Sequence, residues 1–422
     1  MILTKKNYKE RIIDEKISKN LKIFGAISIE GPKWCGKTWT ALNHAKSVVY
    51  LNNVSNNFNE RALAQMNVDL ILNKEAPELI DEWQEVPAIW DGVRYKCDED
   101  NKRGKYILTG SATPVTNDIH HSGAGRICRM KMRTMSLYES GDSTGEVSLK
   151  DLFDNKVKDK LTGKVELQTL IKLIIRGGWP QSLDMTEDEA LILTQSYIND
   201  VLNFDISNID GTNREINKMR MIMRSLARNE STIVSNNTII KDVNEDTDVA
   251  SRNTVLDYID VLEKLYLIEN QEAFSTNLRS SNRIGKSAKR HFVDPSLACG
   301  ILGLTSEKLL GDVNFLGFLF ESLCERDLRI YIESHNGNLY HFRDNTSGLE
   351  IDAIVEMPDG EYGAIEIKLG TDKIEEAAKN LLKFNDMVTK KPKFLCVISG
   401  LNEAIIKRPD GVYVLPITAL KN

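Results

Sequence analysis

The stretch Gly31-Pro32-Lys33-Trp34-Cys35-Gly36-Lys37-Thr38 satisfies every fixed position of G-x-x-x-x-G-K-[ST]; the apolar run Ala26-Ile27-Ser28-Ile29 precedes it and a helix-compatible segment follows. Strand, glycine-rich loop and helix in that order predict a phosphate cradle at the carboxyl end of a buried strand. Glycines let backbone N–H groups close around phosphate oxygens, Lys37 reaches the β- and γ-phosphates, and the Thr38 hydroxyl ligates Mg²⁺. The following helix turns the positive end of its dipole toward the same anion. The residues expected around a nucleotide are therefore Gly31, Pro32, Lys33, Trp34, Cys35, Gly36, Lys37 and Thr38. The bland alternative is a Gly-rich turn with an incidental lysine.

A nucleotide-hydrolysing site also needs acid at the end of another buried strand, and Pro77-Glu78-Leu79-Ile80-Asp81-Glu82-Trp83 supplies it. Asp81 is the expected metal-holding carboxylate, and Glu82 the group that polarises an attacking water. A paired Asp-Glu is also compatible with a plain helix N-terminus. A third run, Tyr106-Ile107-Leu108, ends in Thr109-Gly110-Ser111, where a hydroxyl can orient water or touch the γ-phosphate. With Val48-Val49-Tyr50-Leu51 as a further apolar run, strands alternate with helix-length segments. That alternation predicts an α/β fold with a parallel sheet covered on both faces and ligands at the carboxyl ends of its strands.

Leu79-Ile-Asp-Glu-Trp-Gln-Glu-Val-Pro87, Ile107-Leu-Thr-Gly-Ser-Ala-Thr-Pro114 and His121-Ser-Gly-Ala-Gly-Arg126, followed by Met135-Ser-Leu-Tyr-Glu139, resemble the prokaryotic AAA-type ATPases that carry a C-terminal domain of unknown function. The resemblance extends through Arg176-Gly-Gly-Trp-Pro180 and Phe292-Val-Asp-Pro295. It implies a STAND-related AAA-like fold with ATP as the nucleotide, and a possible homo-oligomer. It also singles out Arg126, which either serves as an arginine finger or sensor toward the γ-phosphate or ends a loop by pairing with a carboxylate.

Two to four domains are expected of 422 residues at roughly 100–200 residues each. A net charge of −6 argues against an overall polyanion-binding surface while leaving room for a local basic patch. Cys35, Cys97, Cys128, Cys299, Cys324 and Cys396 are scattered, which suits free thiols in a reducing cytosol better than disulfides or zinc ligands. The first ten residues lack the apolar core of a signal peptide, and no run of about 18 apolar residues exists to span a bilayer. A cytoplasmic protein without membrane contact is expected.

The charged stretch from Asp154 to Lys164 reads as the end of the first domain. Beyond it Leu170, Leu173 and Ile174, and later Val255, Ile259 and Leu262, recur at helical spacing, with Ser251 or Asn253 as the N-cap of the later helix. Two helices followed by strand, loop and strand, ending in Arg290-His-Phe-Val293, give the order of a winged helix-turn-helix. Two basic patterns there could meet DNA. Arg220, Arg224 and Arg228 form a stripe opposite an apolar face, for which a merely solvated surface is the leading explanation. Arg279, Arg283, Lys286, Lys289 and Arg290 lie on the wing-like connection with no acid among them, a pattern suited to phosphate contacts or to a plain tether.

Near the C-terminus, Leu349-Glu-Ile-Asp-Ala-Ile-Val355 alternates as a strand, turns at Pro358-Asp-Gly360 and returns as Ala364-Ile-Glu-Ile-Lys-Leu369. The hairpin brings Asp352 near Glu366 and Lys368, and an upstream helix offers Glu321. Paired carboxylates suit a divalent cation, with Lys368 placed to orient or deprotonate a water. This arrangement resembles the PD-(D/E)xK nuclease superfamily over about the last hundred residues, although Ile351 stands where the proline of that pattern would be. The expected architecture is an AAA-like P-loop ATPase domain over residues 1–160, a helical winged-helix-like domain over 165–305 and an α/β restriction-endonuclease-like domain over 306–422. The leading expectation for function is ATP hydrolysis with Mg²⁺ that controls domain arrangement and nucleic-acid engagement. The alternatives are an ATP-gated nuclease acting in defence, and a non-enzymatic nucleotide switch with a partner-binding C-terminal domain.

Overall fold

The computed structural model describes the chain apart from residues 1–2, 101, 113–118, 207–208, 210–211, 213, 245–249, 276–286 and 345. It divides into two compact units. The first comprises residues 1–134, 203–214 and 261–266, and the second residues 135–202, 215–260 and 267–422.

The first unit is built on a five-stranded parallel sheet of β1 (Ala26–Glu30), β2 (Ser47–Tyr50), β3 (Glu78–Asp81), β4 (Tyr106–Gly110) and β5 (Ile127–Lys131), in the order β2-β3-β4-β1-β5. Every residue of β1 and β4 is buried, as expected of strands covered on both faces, which read as continuous apolar runs rather than alternating ones. Helices Ile13–Leu21, Lys37–Leu42, Asn59–Met66 and Ala88–Asp100 join or flank them. Trp83 and Trp90, with ring centroids 4.8 Å apart, pack with Ile80, Ile89, Val93 and Leu108 in the core. Cross-strand register matters most for function. It sets Asp81 beside Thr109, and Thr109 beside Ile29, two residues before the glycine-rich loop.

In the second unit, helices Ile216–Arg228, Asn236–Val243 and Arg252–Lys264 (its last residues counted with the first unit) lead to the antiparallel pair β8 (Ile268–Gln271) and β9 (Lys289–Phe292); the short strands β6 (Val147–Ser148) and β7 (Lys160–Leu161) come earlier in the chain. Ser251 Oγ accepts the Thr254 N–H, so Ser251 rather than Asn253 makes the cap expected of the third helix. The long helix Val313–Ser334 precedes β10 (Asn338–Arg343), β11 (Glu350–Glu356) and β12 (Tyr362–Lys368), and helix Ile374–Met387 connects β12 to β13 (Phe394–Ser399). With β14 (Ala404–Lys407) and β15 (Tyr413–Leu415) these form a seven-stranded mixed sheet in the order β10-β11-β12-β13-β15-β14-β7. The last strand, β16 (Leu420–Lys421), pairs with β6. The β11–β12 hairpin expected from the alternating pattern is present and antiparallel, with Ala353 opposite Ile365.

Candidate functional site

The glycine-rich loop leaves β1 at Gly31 and enters its helix at Lys37. Gly31 is required by close approach, because a Cβ there would lie 2.0 Å from the Met132 carbonyl oxygen. Trp34 and Gly36 take left-handed backbone conformations with φ of 68° and 101°, unusual for tryptophan and routine for glycine. Lys37 is buried, and its ammonium donates to the carbonyls of Gly31 (2.9 Å) and Pro32 (2.7 Å), which holds the charge over the loop. Lys33 instead points to Asp205, at 2.5 Å, and Cys35 is buried with its thiol toward the Met132 carbonyl.

Three strand ends then meet. Thr38 Oγ1 donates to Asp81 Oδ1 at 2.8 Å, and Thr109 Oγ1 donates to the same oxygen at 2.7 Å. Burial pushes the Asp81 pKa up, the two hydroxyl donors pull it back, and neighbouring Glu82 raises it again. Glu82 sits at φ 59°; its N–H donates to Thr109 Oγ1 and its carboxylate accepts from Ser111 Oγ at 3.0 Å and from the Gln84 amide. Thr109 thus commits its proton to Asp81 and one of its two lone pairs to the Glu82 N–H. Its hydroxyl thereby links the Asp81 carboxylate to the Glu82 backbone, at the strand end where contact with water or phosphate was expected. A hydroxyl and a carboxylate 2.8 Å apart at the mouth of a phosphate loop fit Mg²⁺, which is ordinarily held by one or two protein oxygens together with substrate phosphates.

Two contributors carry no motif. Arg11, buried ahead of the first helix, donates from one guanidinium nitrogen to the Cys35 carbonyl (2.8 Å) and from another to that of Arg133 (2.9 Å), clamping the loop to the chain beyond β5. Gln84 fixes the Glu82 carboxylate together with Ser111. Its place two residues after the acid pair was the one available signal.

Arg126 is not part of this cluster. It precedes β5, whose first residue pairs with Ala26 at the start of β1, so its backbone lies roughly 15 Å from the loop at the opposite end of the strands. Its Nε donates to Asp98 at 2.6 Å. The expected finger or sensor role toward the nucleotide of its own chain is thereby corrected in favour of the carboxylate-paired alternative.

The C-terminal candidates do come together. Lys368 Nζ lies 3.0 Å from Asp352 Oδ2 and 2.6 Å from Glu366 Oε2, and the Ile367 N–H also donates to Asp352. Glu321, on the helix Val313–Ser334, pairs with Lys289 rather than standing open as a metal ligand. Two ammonium groups therefore occupy carboxylate oxygens that a divalent ion would need, and among the described residues no group of three or more His, Cys, Asp or Glu is arranged to hold a metal. The residues present do not fit the expected divalent cation.

The expected DNA contact of Lys289 is corrected on the same ground, since this residue is only 2% exposed and paired with carboxylates. Arg290 is half-buried against Asn270 and Asn236, while Arg279, Arg283 and Lys286 lie outside the described residues. Of the arginine stripe, Arg228 pairs with Asp242, and Arg220 and Arg224 are exposed. All six cysteines are free. Among the described residues no helix is long and apolar enough to cross a membrane.

A family model described as an AAA domain matches residues 24–141, and two models described only as domains of unknown function match residues 167–308 and 316–420. No curated protein matches the chain. Among solved structures, a Walker-type ATPase of Pyrococcus abyssi is 13% identical over 71% of this chain and 97% of its own, with a TM-score of 0.43. The replication initiator DnaA of Aquifex aeolicus, bound to AMPPCP, is 13% identical over 59% of this chain and 86% of its own, with a TM-score of 0.27. A STAND protein with a tetratricopeptide-repeat sensor from Pyrococcus horikoshii is 14% identical over 78% of this chain and 48% of its own, at 0.22. Residues 24–141, which match the model described as an AAA domain, contain the glycine-rich loop and the five-stranded parallel sheet of an α/β fold.

Proposed function

We propose that the chain binds ATP with Mg²⁺ and hydrolyses it at the ends of β1, β3 and β4. The observation that carries this reading is the convergence of Thr38 and Thr109 on one oxygen of Asp81, beside a separately held Glu82. Mg²⁺ supplies charge neutralisation on the phosphate oxygens, with Thr38 and Asp81 as its protein ligands. Lys37 exchanges its loop carbonyls for phosphate oxygens and, with the loop amides, stabilises charge on the transferred group. Glu82, fixed by Ser111 and Gln84, aligns the attacking water and takes up its proton. Lys37→Ala should abolish ATP binding, whereas Glu82→Gln should retain it and slow hydrolysis by about 100-fold or more. Turnover by Glu82→Gln at the parental rate would remove Glu82 from catalysis.

The nucleotide state, on this reading, controls domain arrangement and nucleic-acid engagement. Three separately matched segments support three parts along the chain, proposed as residues 1–160, 165–305 and 306–422, although residues 135–160 fold with the second unit. Three helices followed by the β8–β9 pair support a winged-helix character for the middle segment, and exposed Arg220 and Arg224 are its available phosphate contacts. Charge reversal at both arginines should weaken duplex DNA binding and flatten its salt dependence; equal anisotropy curves for parent and variant would exclude them. A nuclease-like fold for the last segment draws support from Asp352, Glu366 and Lys368 meeting on the β11–β12 hairpin. Any action of Arg126 on ATP would have to be on the nucleotide of a second copy.

A further inference from the structure

Four buried carboxylates lie on two elements, Glu321 and Glu325 on the helix Val313–Ser334 and Asp352 and Glu366 on the β11–β12 hairpin. Two ammonium groups face them. Lys368 belongs to β12 and bridges Asp352 and Glu366. Lys289 comes from β9, far earlier in the chain, and its Nζ pairs with Glu321 and lies 3.8 Å from Glu325. Burial by itself would lower the Lys289 pKa, but Glu321, Glu325 and Asp352 outweigh it and hold the ammonium charged.

The hairpin that delivers Lys289 is fastened on both strands. From β8, the Gln271 amide donates to the carbonyls of Tyr340 (2.9 Å) and Asp352 (3.1 Å). From β9, His291 Nε2 lies 2.5 Å from Glu325 Oε2, and the Phe292 N–H donates to Glu230, which also accepts from Ser322 on the long helix. Lys289 is therefore inserted by a built contact.

We propose that Lys289 is the resident cation of this carboxylate site, standing in place of the divalent ion that a PD-(D/E)xK arrangement would hold, and that it keeps the site free of metal while β9 is seated. The inference rests on the nuclease-like reading only for the identity of the ion displaced. One ammonium carries half the charge of a divalent ion, and burial pushes Glu321, Glu325 and Glu366 toward their neutral forms. The imbalance is visible in Glu366, which is 2% exposed and has one oxygen, Oε1, with no hydrogen-bond partner. Such a cluster, once deprived of Lys289, must take up protons or recruit another cation.

The test is Mn²⁺ titration of the full chain without nucleotide, following free Mn²⁺ by its spin resonance and the melting temperature in parallel. The parent should show no saturable site, and Lys289→Met should gain one that Asp352→Asn in the same chain removes, with half-saturation at least about tenfold below any binding by the parent. A folded Lys289→Met that gains no Mn²⁺ binding overturns the proposal. So does Mn²⁺ binding by the parent that Asp352→Asn abolishes, a comparison that remains decisive where Lys289→Met does not fold. Plasmid nicking separates the two readings. Mn²⁺ binding by Lys289→Met without cleavage upholds the counter-ion role and removes the nuclease.

Discussion

Asp81 shows how much of a site is carried by single hydrogen bonds. Burial raises its pKa and two threonine hydroxyls offset that, so Thr109→Val should raise it further. Metal binding needs the carboxylate, and the acidic limb of Mg·ATP affinity should consequently move to higher pH in Thr109→Val; an unmoved limb would detach Thr109 from Asp81. Glu78, at the head of β3, carries a different titration. Burial lifts its pKa from an ordinary 4.5 to about 7, against partial opposition from Lys74 and Lys105. An acid with a raised folded-state pKa binds more protons folded than unfolded between those two values, so stability falls as pH rises through that window, by at most about 1.4 kcal/mol per pH unit. Glu78→Gln should flatten that slope and leave the protein more stable at pH 8, as denaturant titrations across the window would reveal. The acids themselves were legible as Leu79-Ile80-Asp81-Glu82. Their protonation was not, because it depends on which hydroxyls tertiary packing brings to them.

Among the elements, those announced by local pattern formed where expected. The glycine-rich loop, β3, β4 and the β11–β12 hairpin each combine an apolar period with turn residues that agree with it. β5 reads Ile127-Cys-Arg-Met-Lys131, and carries no strand signature because Arg129 interrupts its three apolar residues and Lys131 follows them. Arg11 was invisible for another reason, since a single arginine in a polar N-terminal segment has no signature before its two carbonyl partners are known. Charge-assisted bonds of this kind contribute about 1.5–3 kcal/mol each. Arg11→Met should therefore weaken ATP binding by about tenfold or more, measured by calorimetry on folded protein, and an unchanged affinity would show that the loop holds its shape without the clamp.

At the scale of the whole molecule, control by nucleotide requires that ATP alter more than the unit it binds. A ligand at about 100 times its dissociation constant stabilises its own unit by about 2.7 kcal/mol. In Glu82→Gln, where ATP is retained, calorimetric unfolding should show both units shifted upward by ATP. A second transition indifferent to ATP would reduce the protein to a nucleotide-binding unit with an independent companion. The basic connection before β9 shows where one-dimensional reading misleads at this scale. Five cations without an acid look like a phosphate-binding wing, yet Lys289, one of them, faces acids contributed from residues 321 and 325 and is buried among them. Sequence by itself determined the phosphate loop, the acid pair and the alternating strands, because those depend on local residue type and period. Only the tertiary structure decided that Arg126 lies at the wrong end of the sheet, that Thr109 joins Asp81 to Glu82, and that Lys289 is buried against Glu321. Those outcomes turn on strand order and on charges meeting across long chain separations, which no local pattern encodes.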